Sequence, residues 1–522
     1  MVDVLKPVGQ NGPSTTPILT DLFTEVLPAL PAAPPDLHHT IADLFCDAAR
    51  LCVPTPLLLA QLDRLPDRTL AAVCTARIAA SLAARGELEA AQALLARAVM
   101  PPGTVDPAGV AWLHSSRARA HHALGEGPAR DTAFAAAREA MRRGEGIPAR
   151  LAFDLLAVED FAGALDVVSS TRRIPAETIE VLYRDIITQA YRAERLPVGL
   201  QVLHLADDFL MQHRLLRGLV RLPLADGDGG SVLEMVRAAP VAYQGDLLAE
   251  VVPELVAHRL HSAAREAVAL WAEAESTSLL RLGGAGLVED PAASLAALHE
   301  ALALRLEQEE ELGMVDAWAY RELGQALGWL GELGAALSAL ERVADHDDRL
   351  SALLNAARYA PAGVTEALIC AARGLVASLE DEMRRVRALM RLGMLLSRLG
   401  RRTEADALFS EALQLADGIR RPRSDQGQTR RAALQLVIQG QLAVGAHVGA
   451  WLAGRKLRTR RHQDPALARS AAAYAAAGDL PGAAWCVRAI ISLDSRLLAL
   501  QAAARAWIQA GEPLLLADSD AA

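Results

Sequence analysis

Lysine is almost missing from this chain of 522 residues: Lys6 and Lys456 are the only two, and arginine carries the rest of the positive charge. Recognition that depends on a row of ammonium groups is therefore excluded, whereas planar, multiply donating guanidinium groups are in good supply. Aromatic residues are scarce as well, 4% against 52% apolar residues overall. Alanine and leucine must fill the interior, a composition that favours helices packed closely through small side chains. Few segments alternate apolar and polar residues in the β-branched manner of strands, so the chain reads as all-α. The five cysteines, Cys46, Cys52, Cys74, Cys370 and Cys486, contain no CxxC pair and no even framework. They fit small buried hydrophobes in a reducing, cytoplasmic setting.

Motifs for chemistry are absent too. There is no GxxxxGKS/T, GxSxG, HExxH or GxGxxG fingerprint, so phosphate-loop, serine-hydrolase, zincin and dinucleotide readings have no support. "ADGDGGSVLEMVR" (225–237) alternates Asp226 and Asp228 like a calcium loop. Its twelfth position, however, is Arg237 where a bidentate glutamate is needed, and it reads as a polar turn between helices. His114 and His121 share a helical face without an acid or cysteine to complete a metal site. No catalytic residue, metal or cofactor is expected, and the chain reads as a non-enzyme. The uncharged run 432–454 is long enough for a bilayer, but Gln435, Gln439, Gln441 and His447 interrupt it, and no membrane association is expected. The first twenty residues lack the basic and apolar regions of a signal peptide and read as a disordered lead-in.

What the chain does have is a recurring pattern, clearest in "RLGMLLSRLGRRTEADALFSEALQLAD" (391–417). A glycine inside a helix costs about 1 kcal/mol relative to alanine, so Gly393 and Gly400 need a reason. With Gly400 as a turn, Leu392, Gly393 and Leu396 share one helical face, and Ala405, Phe409 and Ala412 share the next. Gly393 then lets the partner helix approach. The same offsets recur around Gly331 (Ala336, Leu340, Val343), Gly478 (Ala483, Val487, Ile490), Gly86 (Ala91, Leu95, Ala98) and Gly440 (Gly445, Gly449, Leu452). Without a glycine they recur around Glu194 and His258.

These residues resemble the tetratricopeptide repeat, a helix–turn–helix unit with small residues at its crossing points. The resemblance implies an α-solenoid of about a dozen hairpins wound into a superhelix, with the first helix of each unit lining a concave groove. The expected organisation is a disordered stretch at 1–20, an atypical helical cap at 21–66 and a first repeat block at 67–280. A Gly/Pro-rich joint at 281–294, a second block at 295–511 and a disordered tail at 512–522 complete it.

Net charge is −10, yet the stretch from Arg384 to Arg461 holds seventeen basic residues against five acidic ones. In the repeat register, positions nine before the turns at Gly400, Gly440 and Gly478 are Arg391, Arg431 and Arg469. They are expected to form a ladder along the groove. Arg387 and Arg398 fall on the face of Arg391, with Met390 and Met394 between them; Arg430 adjoins Arg431, and Leu434 adds an apolar contact. Trp318, Arg321 and Trp329 take equivalent positions one repeat earlier, and Trp and Arg are common binding anchors. The expectation is a scaffold that captures an acidic segment of a partner protein. Nucleic acid on the 384–461 surface is a second reading, weakened by the lack of aromatics for base stacking in its loops. A sensory module is a third.

Overall fold

The computed structural model describes residues 16–26, 29–30, 37–51, 53–100, 107–143, 148–170, 176–205, 208–274, 278–312, 315–419, 426–457 and 460–517. Among these residues every regular element is a helix, and the chain is an all-α array of repeated helical hairpins. The expected disordered ends fall mainly on residues 1–15 and 518–522, outside the described ones. Residues 16–20 open the helix Thr16–Val26, and residues 512–517 close the helix Leu493–Ala517.

The hairpin of Glu382–Arg398 and Arg402–Gly418 shows how the sequence builds a repeat. Asp381 caps the first helix, its carboxylate accepting from the Arg384 amide at 2.8 Å. At the other end the Arg401 amide donates to the Leu396 carbonyl (2.9 Å) and the Gly400 amide to that of Ser397 (3.0 Å). This is a Schellman closure, and it holds Gly400 at φ +78, where a side chain would be strained. The chain reverses, and Ala405, Phe409, Ala412 and Ala416 turn inward as the buried stripe of the second helix. A Cβ on Gly393 would stand 2.5 Å from the Phe409 ring. Gly324, seven before its own turn as Gly393 is, has the Leu340 side chain pressed on it in the same way.

Left-handed turns stand at Gly86, Gly125, Gly227, Gly331, Gly400, Gly445 and Gly478, and at Glu159, Glu194 and Arg259. Two of the expected turns move. The one assigned to His258 falls one residue later, at Arg259. The one assigned to Gly440 falls at Gly445, and Gly440 lies inside the helix Gln426–Ala443. Burial decides the second case. Counting from Gly445, offsets five, nine and twelve are Ala450, Gly454 and Leu457, all buried; counting from Gly440 would point the exposed Leu452 inward. The aspartates of the calcium-like stretch serve the turn at Gly227: Asp228 caps the helix Gly229–Ala238, and Asp226 accepts from the Tyr191 hydroxyl at 2.9 Å.

The chain divides into two compact units, residues 1–174 with 424–522, and residues 175–423. In the first unit the helices His38–Arg50, Arg68–Ala84, Pro107–Ala123 and Pro148–Leu156 pack side by side in sequence order. The same row continues from His38–Arg50 through Leu493–Ala517, Arg460–Ala476 and Gln426–Ala443. The N-terminal and C-terminal repeats therefore share one core, and Arg488 pairs with Glu25 at 2.6 Å.

In the second unit Val241–Ala257, Leu279–Val288, Ala317–Trp329, His346–Tyr359 and Glu382–Arg398 form a corresponding row. The expected joint at 281–294 is instead mostly part of this row. Gly283, Gly284 and Gly286 are buried in the helix Leu279–Val288, where Ala326, Trp271 and Leu330 leave no room for a side chain. These glycines mark close packing where a joint is expected, and the boundaries fall at 174/175 and 423/424.

Gly393→Ala tests this packing. Phe409 is buried and has nowhere to retreat, so overpacking is expected to cost about 1–3 kcal/mol, seen as a lower thermal midpoint. Adding Phe409→Leu should recover part of the loss.

Candidate functional site

The expected site residues divide between the two units. In the second unit, a polar ridge crosses the helices Ala317–Trp329, His346–Tyr359 and Glu382–Arg398. Trp318 is 57% exposed, and the Arg321 guanidinium lies over its ring at 3.9 Å. Arg321 also faces Asp348 at 3.6 Å, and Asp347 faces Arg387 at 3.9 Å. Arg391 donates to the Ser351 hydroxyl at 2.6 Å. Burial lowers the pKa of Arg391, with Arg387 adding to the effect and Asp347 opposing it. Arg398 makes neither a hydrogen bond nor an ion pair among the described residues. Burial and the nearby Arg221 lower its pKa. Met394 is half-buried beside this ridge.

Three of the expected contact residues are corrected by their burial. Met390 is 3% exposed, Trp329 3% and Leu434 0%. Their apolar side chains are consumed by helix packing, and Trp329 spends its indole N–H on the Asn355 carbonyl at 3.2 Å. Apolar residues at helical spacing were read as a groove floor, and the core claimed them.

In the first unit, Arg469 is exposed and, among the described residues, bonds the Pro465 carbonyl of its own helix at 3.3 Å. Arg430 donates to the Lys456 carbonyl at 3.0 Å, and Arg431 is half-buried. With the turn at Gly445, Leu436 takes the position nine before it, so Arg431 is out of register with Arg391 and Arg469.

The same count finds what the basic stretch concealed. Nine before Gly86, Gly125 and Glu159 stand Arg77, Ser116 and Arg150, on three neighbouring helices of the first unit. Arg77 is buried with every guanidinium nitrogen engaged. Its Nε donates to the Ser116 hydroxyl at 3.3 Å, Nη2 to Asp154 at 2.9 Å and Nη1 to Asp43. Asp154, also buried, accepts from the Ser115 hydroxyl at 2.6 Å and from Arg119 at 3.2 Å. Asp43 accepts from Gln501 at 3.0 Å and from Arg505, both on the C-terminal helix. One network thus ties five helices together. Its residues are isolated in the sequence, so no local density of charge marks them.

The electrostatics follow from that geometry. Burial alone would raise Asp43, but Arg77, Arg505 and Arg150 outweigh it and hold the carboxyl well below its ordinary range. Asp47, one turn along, is shielded less: burial and the charge of Asp43 lift it to about 6, although Arg505 stands 3.6 Å away.

No protein-family model matches the chain, and no curated protein matches it. Solved structures similar to the chain include two helical repeat proteins. One is a pentatricopeptide repeat protein from maize, 14% identical over 96% of each chain, with a TM-score of 0.20. The other is a circular tandem repeat protein with novel repeat topology and enhanced subunit contact surfaces. It is 12% identical over 97% of this chain and 98% of that one, with a TM-score of 0.16. At such scores neither bears on what this chain binds. No helix among the described residues is long and apolar enough to cross a membrane.

Asp47 gives the network a pH signature. The unfolded chain ionises it near 3.8 and the folded protein near 6, so folding loses stability as pH rises from about 4 to about 6. The loss, on the order of 3 kcal/mol, persists above that range. Arg505, Asp43, Arg50 and Arg119 surround it, and none of these four cations and anions titrates normally between pH 5 and 8. Asp47→Asn should therefore raise the thermal midpoint about three times as much at pH 7.5 as at pH 4.5. An equal shift at both values would rule out the raised carboxyl.

Proposed function

We propose that the chain is a cytoplasmic, non-enzymatic scaffold of tetratricopeptide-like repeats. Its second unit takes an acidic segment of a partner protein across the ridge of Trp318, Arg321, Arg387, Arg391, Met394 and Arg398. The observation that carries this reading is Trp318. A large aromatic left in solvent, yet held in place beneath a guanidinium that Asp348 orients, is built for contact and not for folding. Around it, Arg387 has one long ion pair and Arg398 none, so both retain charge for an incoming carboxylate. Met394 offers an adaptable apolar contact. Buried free thiols at Cys46, Cys74 and Cys486 suit a reducing compartment. The half-buried Arg430 and Arg431 and the exposed Arg469 of the first unit are not needed for this reading.

Binding of labelled acidic peptides, with and without aliphatic residues, is the test. Single-stranded RNA of equal length and a neutral peptide serve as comparisons, all against the full chain. Acidic peptides bearing aliphatic residues should bind best, and Trp318→Ala or the Arg387→Glu, Arg398→Glu pair should each weaken them tenfold or more. Indifference to both changes would sink the ridge as the receptor. RNA binding that exceeds peptide binding, and is lost in the same variants, would replace a protein partner with a nucleic acid.

A further inference from the structure

Arg150 differs from every other arginine of the buried network. It lies in the first turn of the helix Pro148–Leu156, its side chain 14% exposed, with its guanidinium 4.2 Å over the Trp112 ring. Among the described residues the carboxylate that faces it, Asp43, is 3.8 Å away, beyond hydrogen-bonding distance, and Asp154 acts on its charge from further off. Its Nε is buried and without a partner, and so is the Trp112 indole N–H beside it. Arg77, at the equivalent position of another repeat, has all its nitrogens satisfied.

The network does not need Arg150 for closure. Asp43 already receives Arg77 on one oxygen, and Gln501 and Arg505 on the other. Asp154 receives Arg77, Arg119 and Ser115. Four arginines (77, 119, 150 and 505) face three aspartates (43, 47 and 154), which leaves a surplus cation. A largely buried guanidinium with its donors unused is costly. Burial and the charge of Arg77 pull its pKa down to about 10, so it remains charged at neutral pH.

We propose that Arg150 is the anchor of an oxyanion site on the first unit, taking a carboxylate or phosphate group on its free guanidinium edge. The Trp112 ring fixes the plane of the fork before the ligand arrives, which favours two parallel hydrogen bonds. The negative charge of Asp43, 3.8 Å off, is offset by Arg77 and Arg505 and does not repel the ligand at full strength. The site lies on other residues and in the other unit from the Trp318 ridge, so each stands or falls independently.

The experiment uses the full chain in calorimetric and thermal-shift titrations. Inorganic phosphate and glutarate are titrated separately at constant ionic strength, with chloride as the balancing anion. At least one oxyanion should bind saturably at millimolar concentration or below, and the preferred one distinguishes a phosphate from a carboxylate source. Arg150→Gln should weaken that binding at least tenfold and Arg150→Lys less, while Trp112→Phe should retain it. Without oxyanion, Arg150→Gln should leave the midpoint unchanged or higher, since no hydrogen bond is lost. No saturable binding of either anion, or equal affinity in Arg150→Gln, would overturn the site. A lower midpoint for Arg150→Gln without oxyanion, combined with no binding, would make Arg150 a structural member of the network.

Discussion

The closeness with which the two helices of a hairpin cross sets the terms for the rest of the molecule. Aromatic residues are few, so the core cannot rely on large side chains to bridge a wide gap. It relies on small residues that let backbones approach. Five positions beyond eight of the ten turns stand Ala91, Ala164, Gly199, Ala264, Ala336, Ala405, Ala450 and Ala483, all buried; Val232 and Arg130 stand there after Gly227 and Gly125. Where the first helix also needs relief, glycine supplies it, as at Gly393 against Phe409 and Gly324 against Leu340. Each hairpin becomes thin, and neighbouring hairpins pack through the same short side chains, which is how a sequence dominated by alanine and leucine builds an extended hydrophobic core.

This constraint explains what was legible in the sequence. A turn that must reverse within three residues leaves a left-handed position, and the buried stripe beyond it has fixed offsets, so the hairpins at Gly86, Gly331, Gly400 and Gly478 could be read directly. The same rule misled where glycines were plentiful. Between Gly440 and Gly454 several registers satisfy a small-residue pattern, and only packing shows that the one from Gly445 buries Leu457 and frees Leu452. At 281–294 the Gly/Pro-rich composition points to a joint. Among thin hairpins a glycine cluster is equally a place where a tryptophan comes close to a backbone, as Trp271 does at Gly284.

The candidate site was less legible, for a different reason. Arginine density is a property of the local sequence, but the availability of an arginine depends on what stands across from it. Arg385 finds Glu411, and Arg401 finds Glu366 and Glu404, so part of the basic stretch is neutralised by its neighbours. The contacts of Asp43 with Gln501 and Arg505 join residues more than 450 positions apart. No periodicity announces such a pair, since it depends on the N-terminal and C-terminal repeats sharing one core.

An interface of alanine and leucine is permissive about register, because sliding one helix by a turn along another replaces apolar contact with apolar contact. The Arg77 network is not permissive. Its guanidinium satisfies Ser116, Asp154 and Asp43 on three different helices at once, and Asp43 extends the set to the C-terminal helix. A slip of one turn, about 5.4 Å, would break these bonds together and leave charges buried without partners. Losing a partner in such a setting costs about 3–5 kcal/mol, a sizeable share of the 5–15 kcal/mol that stabilises an ordinary domain. The hydrophobic residues supply cohesion along the row, and the buried charges fix which repeat meets which. That division of labour is what allows the two ends of a long chain to share a core.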